Sequence, residues 1–309
     1  MKKLIAILLT LVLVVGAFAA CGGNTEETTA GEETTAGEET TKLTATEGVL
    51  VMATNAAFPP YEFKEGDNFA GIDIEIAEAI AQKLGLTLEI KDVEFGTIVG
   101  GVQTGKFDMG MAGMTVTDER LESVNFSTSY ATGIQVVIVA EDSAIKSIDD
   151  LKGDGSMKYG VQQDTTGDIY ASDTVENGGY GEDNVIRYKT GAAAVQALKT
   201  GKVDAVIIDN EPAKSFVEAN EGLKILDGNW VTEDYAIAIA KENTALLTAV
   251  NNALAELTAD GTVAKIVAKY IPTAATEDTT AEAVDTTAEA VDTTAEAVDT
   301  TAAEETTAA

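Results

Sequence analysis

Lys106-Phe107-Asp108-Met109-Gly110-Met111 runs into Ala112-Gly113-Met114-Thr115-Val116-Thr117-Asp118-Glu119-Arg120, and Val124-Asn125-Phe126-Ser127 follows closely. The first six residues read as a buried strand, so the hydroxyls and the one guanidinium after them lie beyond a strand's carboxyl end. Open α/β sheets bind their ligands there. An arginine in that place can fork two parallel N–H···O bonds onto a carboxylate, with threonine hydroxyls and backbone amides completing the anion's shell. The same residues also fit a plainer reading, a threonine-capped helix whose Arg120 pairs with Asp118 or Glu119. The elements on either side have to decide between them.

Upstream, Val49–Thr54 reads as a strand and Asn55-Ala56-Ala57-Phe58-Pro59-Pro60-Tyr61 as the loop leaving its carboxyl end. Gly71-Ile72-Asp73 opens a helix with Ile72, Ile76, Ala79, Ile80 and Leu84 on one face and Gly85 as its stop. A strand over Thr87–Val93 and a helix from Glu94-Phe95-Gly96 to Thr104 lead into the opening stretch. Strand, helix, strand, helix, strand is a doubly wound α/β order. From Gln135 the pattern restarts: a strand at Val136–Val139, a short helix opened by Ser147, and a strand at Tyr159–Val161. The loop Gln162-Gln163-Asp164-Thr165-Thr166-Gly167 enters a helix, Thr190 caps another through Leu198, and a strand over Val203–Ile208 delivers Asp209 at its end. The halves echo each other in Thr104-Gly105-Lys106-Phe107-Asp108 and Thr200-Gly201-Lys202-Val203-Asp204. A strand over Tyr235–Ala240 and helices over Ala245–Ala259 and Thr262–Tyr270 are expected to rejoin the first half. The chain would then cross between lobes twice, near Ser129–Gly133 and Val231–Asp234, and two crossings make a hinge.

The ends have a different character. Lys2 and Lys3 precede an apolar run from Leu4 to Ala20 that is short for a membrane span and reads as an export signal. Cys21, the only cysteine, follows at once in a context that resembles the lipobox of bacterial lipoproteins, with Phe18 where that motif usually has leucine. Near-repeats of Gly-Glu-Glu-Thr-Thr-Ala to Thr41, and of Ala-Glu-Ala-Val-Asp-Thr-Thr from Ala281, offer no apolar seam and read as solvated tethers. Asn24–Thr41 and Thr273–Ala309 contain six and ten of the 52 acidic residues, and what remains, against 18 Lys and Arg, is still strongly acidic. That excludes the basic surface a nucleic-acid partner needs. With no histidine and no metal-ligand spacing, neither a metal nor a cofactor is expected.

From Gly48 to Tyr270 the chain resembles the extracellular solute-binding proteins of bacterial amino-acid ABC transporters, the family that takes polar and basic amino acids. The resemblance rests on Asn55-x-x-Phe58-Pro59-Pro60-Tyr61-Glu62-Phe63, Gly71-Ile72-Asp73, Gly113–Arg120, Asn125-Phe126-Ser127, Asp150-Leu151-Lys152-Gly153 and Asp204–Asp209, in that order. It implies a two-lobed α/β fold of the periplasmic-binding-protein type (type II), with residues 1–20 as signal peptide and 21–42 as lipidated linker. Residues 43–131 with 233–272 would form lobe 1, residues 132–232 lobe 2, and residues 273–309 a disordered acidic tail. By resemblance, Arg120 is the clamp for a ligand α-carboxylate, assisted by Thr115, the backbone at Gly113, and Thr165 and Thr166 from lobe 2. Asp209 takes the α-ammonium, Phe58 and Phe95 sandwich the side chain, and Asn55 and Gln162 set selectivity. Asn55 replaces an aspartate common in relatives, and Asp164 a glycine. Each role has a plain alternative: core packing for the phenylalanines, helix capping for Asp209, Thr165 and Thr166, a surface position for Gln162.

The expected function is capture of a free polar or basic L-amino acid between the lobes and its delivery to an ABC permease. The protein would be a monomer held at the outer face of the cell membrane by lipid on Cys21. Two alternatives share the fold: a ligand-sensing or signalling lipoprotein, and a dehydratase acting on cyclohexadienyl acids. No paired carboxylates or nucleophile constellation favours the enzyme.

Overall fold

The computed structural model describes residues 42–228 and 230–272. The expected export signal, Cys21, the tether before them and the repeat tail lie outside the described residues. Among the described residues no helix is long and apolar enough to cross a membrane.

The chain opens with strand β1 (Val49–Thr54), the small hairpin β2 (Phe63–Glu65) and β3 (Asn68–Ala70), helix α1 (Ile72–Lys83) and β4 (Thr87–Asp92). A single 3-10 turn at Phe95–Thr97 enters α2 (Ile98–Gln103), and β5 (Met109–Gly110), α3 (Asp118–Ser123) and β6 (Val124–Phe126) follow. The long strand β7 (Ala131–Ala140) starts the second half, which continues through β8 (Tyr159–Gln162), α4 (Thr166–Ser172), β9 (Val185–Tyr188), α5 (Gly191–Lys199), β10 (Ala205–Asp209), α6 (Asn210–Glu218) and β11 (Leu223–Ile225). The chain returns through β12 (Thr232–Tyr235) to β13 (Ala238–Ala240) and ends on α7 (Thr244–Ala259) and α8 (Thr262–Tyr270).

Two sheets result, one per lobe: β4-β1-β5-β13-β6, and β11-β7-β10-β8-β9 with β12 on β7. In the first, β1 lies parallel to β4 and β5, and β13 antiparallel to β5 and β6. In the second, β8, β9 and β10 are parallel and β7 runs against β10 and β11. Strand alternation gives each sheet two buried faces. Leu50 and Met52 of β1 pack with Ile76, Ile80, Leu246 and Val250, whereas Ala53 joins Phe95, Ile98, Val102 and Met114 on the opposite face. In the second sheet Val136, Ile138, Val206 and Ile208 meet Val195 and Phe216, and Val137, Val139, Ala205 and Ile207 meet Ala171 and Tyr180.

The two lobes are joined by β7 and β12, paired antiparallel from Ala131↔Tyr235 to Ile134↔Thr232. The expected single strand Tyr235–Ala240 is broken for that reason. Its first residue belongs to the crossing pair and Ala238–Ala240 to the first sheet, while the Ala236 and Ile237 amides between them bond Met114 O and Ser127 Oγ. The expected strand over Lys106–Met111 is trimmed to Met109–Gly110. Before it, the Asp108 carboxylate turns back to accept from the amides of Ala45 (2.7 Å) and Val51 (2.8 Å), an arrangement a regular ladder would not allow.

Four strand ends converge between the lobes: the loops after β1 and β5 from one side, those after β8 and β10 from the other. The loop after β1 is tied to the start of α1, whose free amides at Ile72 and Asp73 donate to Pro60 O (3.1 Å) and Tyr61 O (2.9 Å). Gly71 makes this approach possible, since at its φ of 123° a Cβ would stand 2.2 Å from Tyr61 O.

Candidate functional site

The ten residues proposed from the sequence to touch ligand all line one cavity between the lobes, together with Glu62 and Ala112. Its walls stand close together and leave only about 20 Å³ of room, well below the volume of a ligand site open to its guest. The cleft is closed. Arg120 reaches from lobe 1 to Asp164 O (3.0 Å), Gln162 Nε2 donates to Asn55 Oδ1 (3.0 Å), and Lys189 pairs with Glu94 at 2.5 Å, each bond spanning the two lobes.

Arg120 sits on α3, whose first turn is capped by the Thr117 hydroxyl accepting from Arg120 N. The helix-cap reading of this stretch is thus correct for Thr117, but the guanidinium does something else. It is 8 % exposed, donates to Thr115 O (2.7 Å) and Asp164 O, and lies over the Phe95 ring at 5.3 Å. Among the described residues it forms no ion pair, with Asp118, Glu119 or any other acid. Burial pushes its pKa down, against the pull of Glu233 and other anionic groups at longer range, yet an arginine in a protein stays charged. A buried cation without a counter-ion is a binding site for an anion.

Asp209 is its opposite number. It ends β10 and precedes α6, but its side chain does not cap that helix. The carboxylate instead takes a short hydrogen bond from the Tyr235 hydroxyl. It is 6 % exposed and no cation pairs with it among the described residues. Burial, and then the Glu233 carboxylate, raise its pKa to about 7.

The other residues sort by what remains free. Gly113 lines the cavity, but its N–H donates to Asp73 Oδ2 (2.8 Å), so that amide is engaged within the protein. The Thr165 hydroxyl donates to Gln162 O (2.8 Å) and caps α4, and the Thr166 hydroxyl donates to Glu233 Oε2 (3.0 Å). In this arrangement both hydroxyls bond the protein rather than point at a guest, and the capping reading of Thr165 is correct. Asn55 and Gln162 bond each other across the cleft and are anchored on Val93 O and Gly191 N–H. The Phe95 ring carries the guanidinium on one face, and Phe58 stacks on Tyr61 at 6.1 Å. Sequence reasoning quoted Glu62 but gave it no role, and it missed the layer behind the cavity formed by Asp73, Tyr130, Gln135, Glu233 and Tyr235. The one available signal was Glu62 itself, an acid inside an otherwise apolar loop.

Asp164 explains itself in the structure. Its φ of 64° is left-handed, a backbone state glycine adopts freely and Asp tolerates. Its carboxylate turns away from the cavity toward Gly96 of lobe 1, where an added Cβ would lie 2.0 Å from Asp164 Oδ2. Gly96→Ala is therefore expected to obstruct closure and weaken ligand binding at least tenfold without lowering the Tm of the unliganded protein. Asp164→Gly in the same chain removes the obstacle and restores affinity, which calorimetry on the single and double variants checks.

Residues 50–273 match the family model described as bacterial extracellular solute-binding proteins, family 3. The chain is 30 % identical over 273 residues to the arginine-binding extracellular protein ArtP of Bacillus subtilis (strain 168), covering 87 % of this chain and 98 % of that protein. Among solved structures it resembles an ancestral arginine-binding protein bound to glutamine, at 39 % identity and TM-score 0.67 over 73 % of this chain and 99 % of that one. It also resembles an ancestral amino acid-binding protein described as a precursor of cyclohexadienyl dehydratase, at 33 % identity and TM-score 0.65 over 72 % and 95 % of the two chains. A closed two-lobed fold, a cavity holding one buried cation and one buried anion that have no counter-ion among the described residues, and a match over most of the chain agree: this protein belongs to the bacterial extracellular solute-binding proteins of family 3.

Proposed function

We propose that the protein captures a free L-amino acid with a polar or basic side chain between lobe 1 (residues 43–131 and 233–272) and lobe 2 (residues 132–232) and hands it to an ABC permease. One observation carries this reading: Arg120 and Asp209 lie in the same closed cavity, buried, opposite in charge and each without a counter-ion among the described residues. A zwitterion supplies both partners at once. Its α-carboxylate meets the guanidinium and its α-ammonium meets Asp209. Because the two groups come from different lobes, a ligand touching both favours the closed form, which is the differential contact that closure requires. The Asn55–Gln162 amide pair would meet the ligand's side chain. Relatives named for arginine, one of them bound to glutamine, support a range running from polar to basic.

The same reading makes the protein a monomeric receptor, since the cavity is completed within one chain, held at the outer membrane face by lipid on Cys21. It is a binding protein rather than an enzyme. Thermal unfolding with each common L-amino acid tests it. A ligand at about a hundred times its Kd adds about 2.7 kcal/mol to the native state, a shift of several degrees in a protein of this size. A shift with one or a few amino acids supports the proposal, and none with any of them overturns it. Turnover of a cyclohexadienyl acid would establish the dehydratase reading instead.

A further inference from the structure

Glu62 and Asp73 adjoin the cavity in a way that the binding of a zwitterion does not use. Glu62 lines it, 1 % exposed, and Asp73, on the first turn of α1, is fully buried. Asp73 Oδ2 accepts from Gly113 N–H (2.8 Å) and from the Tyr130 hydroxyl (2.9 Å), while its Oδ1 has no donor. Glu62 Oε2 is likewise buried without a partner, and the two carboxyls face each other at hydrogen-bonding range. Two ionised carboxylates there would place four lone-pair-bearing oxygens in a dry site with repulsion between them. One proton between them satisfies both orphaned atoms. Asp73 already accepts two donors, so it is the member suited to carry the charge.

We propose that Glu62 stands in the cavity wall as a neutral carboxylic acid donating its proton to Asp73, and that this bond makes it a positioning residue for the Gly113 turn and for Tyr130 at the entry to the crossing strand β7. Asp73 is then held by three donors: Glu62 from the loop after β1, Gly113 from the loop after β5, and Tyr130 from the crossing. The wall of the cavity, its floor and the hinge are joined through one buried carboxylate. The groups facing the pair are Tyr61 from the same loop, Tyr130, and the acid Asp209 from lobe 2. Among the described residues no cation pairs with either carboxyl. Burial and the neighbouring Asp73 and Asp209 push Glu62 well above the usual carboxylate range, whereas burial raises Asp73 to about 7, against the downward pull of Gly113, Tyr130 and Glu62. In the proposed state Glu62 holds the proton and Asp73 the charge, and at pH 8.5, above the value of about 7 to which each is raised, Asp73 and Asp209 are ionised. The cavity wall then presents one cation and one anion, and a neutral acid between them.

The test is infrared spectroscopy of the whole protein at pH 8.5, read in the carbonyl-stretch region of protonated carboxylic acids. A single buried-acid band is expected, present in the wild type and in Asp209→Asn and absent from Glu62→Gln. Its absence from the wild type, or its persistence in Glu62→Gln, overturns the proposal. Glu62→Gln keeps a donor to Asp73, so its Tm and its affinity for L-arginine and L-glutamine as probes are expected within about twofold of wild type. Glu62→Ala leaves Asp73 Oδ1 without a partner and is expected to lose both. A tenfold or greater loss of affinity in Glu62→Gln would mean that Glu62 acts as an anion, and would also overturn it. The affinity arm rests on the amino-acid reading above and the infrared arm does not, so a protein that binds neither probe but keeps the band refutes only the former.

Discussion

Arg120→Ala is expected to abolish the amino-acid-induced rise in Tm and to raise Kd by two to three orders of magnitude, about 3–4 kcal/mol, because it removes one partner of a fully desolvated charge pair. The unliganded protein should keep its Tm or gain slightly. The guanidinium is buried against two carbonyls and a phenylalanine ring, with no ion pair to lose among the described residues. Arg120→Lys should not rescue binding, since a single ammonium cannot make the parallel donor pair that a carboxylate accepts. Titration calorimetry on the three proteins, with Tm measured alongside, checks this. A lysine variant of wild-type affinity would sink the bidentate clamp.

Asp209→Asn should weaken binding by about 2–5 kcal/mol, the cost of leaving a ligand ammonium buried without its anion. Its pH dependence makes the expectation sharper. With a carboxyl raised from 3.8 to about 7 in the fold, the folded state holds a proton that the unfolded chain has lost between those values, so this group's contribution to stability falls as pH rises through that window. Asp73, raised to about 7 by burial, acts in the same direction. The unliganded protein is therefore expected to be more stable at pH 5 than at pH 8. A ligand ammonium needs the ionised form, so affinity should rise with pH from 5 to 8, with proton release near pH 7. Calorimetry in two buffers of different ionisation enthalpy reads that proton directly. In Asp209→Asn the release should vanish along with most of the affinity.

Much of the fold was legible because burial is written locally. Continuous apolar runs at Val49–Ala53 and Ala205–Ile208 mark strands with two buried faces, and Thr165 and Thr190 read as caps three residues from the amides they accept. The elements misread were those whose limits depend on a neighbour. Tyr235–Ala240 is uniformly apolar, and only its pairing first with β7 and then with β5 and β6 divides it.

The sequence by itself determined the strand and helix order, with Arg120 and Thr115 beyond one strand's carboxyl end and Gln162 and Asp209 at the ends of two others, and so which residues meet at one cavity. Only the tertiary structure decided what each of them has left to offer. Asn55 and Gln162 stand 107 positions apart and satisfy each other. Thr166 is taken by Glu233, 67 positions away, and Asp164 faces Gly96 rather than the cavity. Among the described residues Arg120 and Asp209 are left without an ion pair, and Glu62 is left facing Asp73. Hydropathy patterns report how much of a residue is buried. Which partner a buried polar atom finds, and hence its charge, depends on distances fixed when two lobes close on each other, and those are not periodic in the chain.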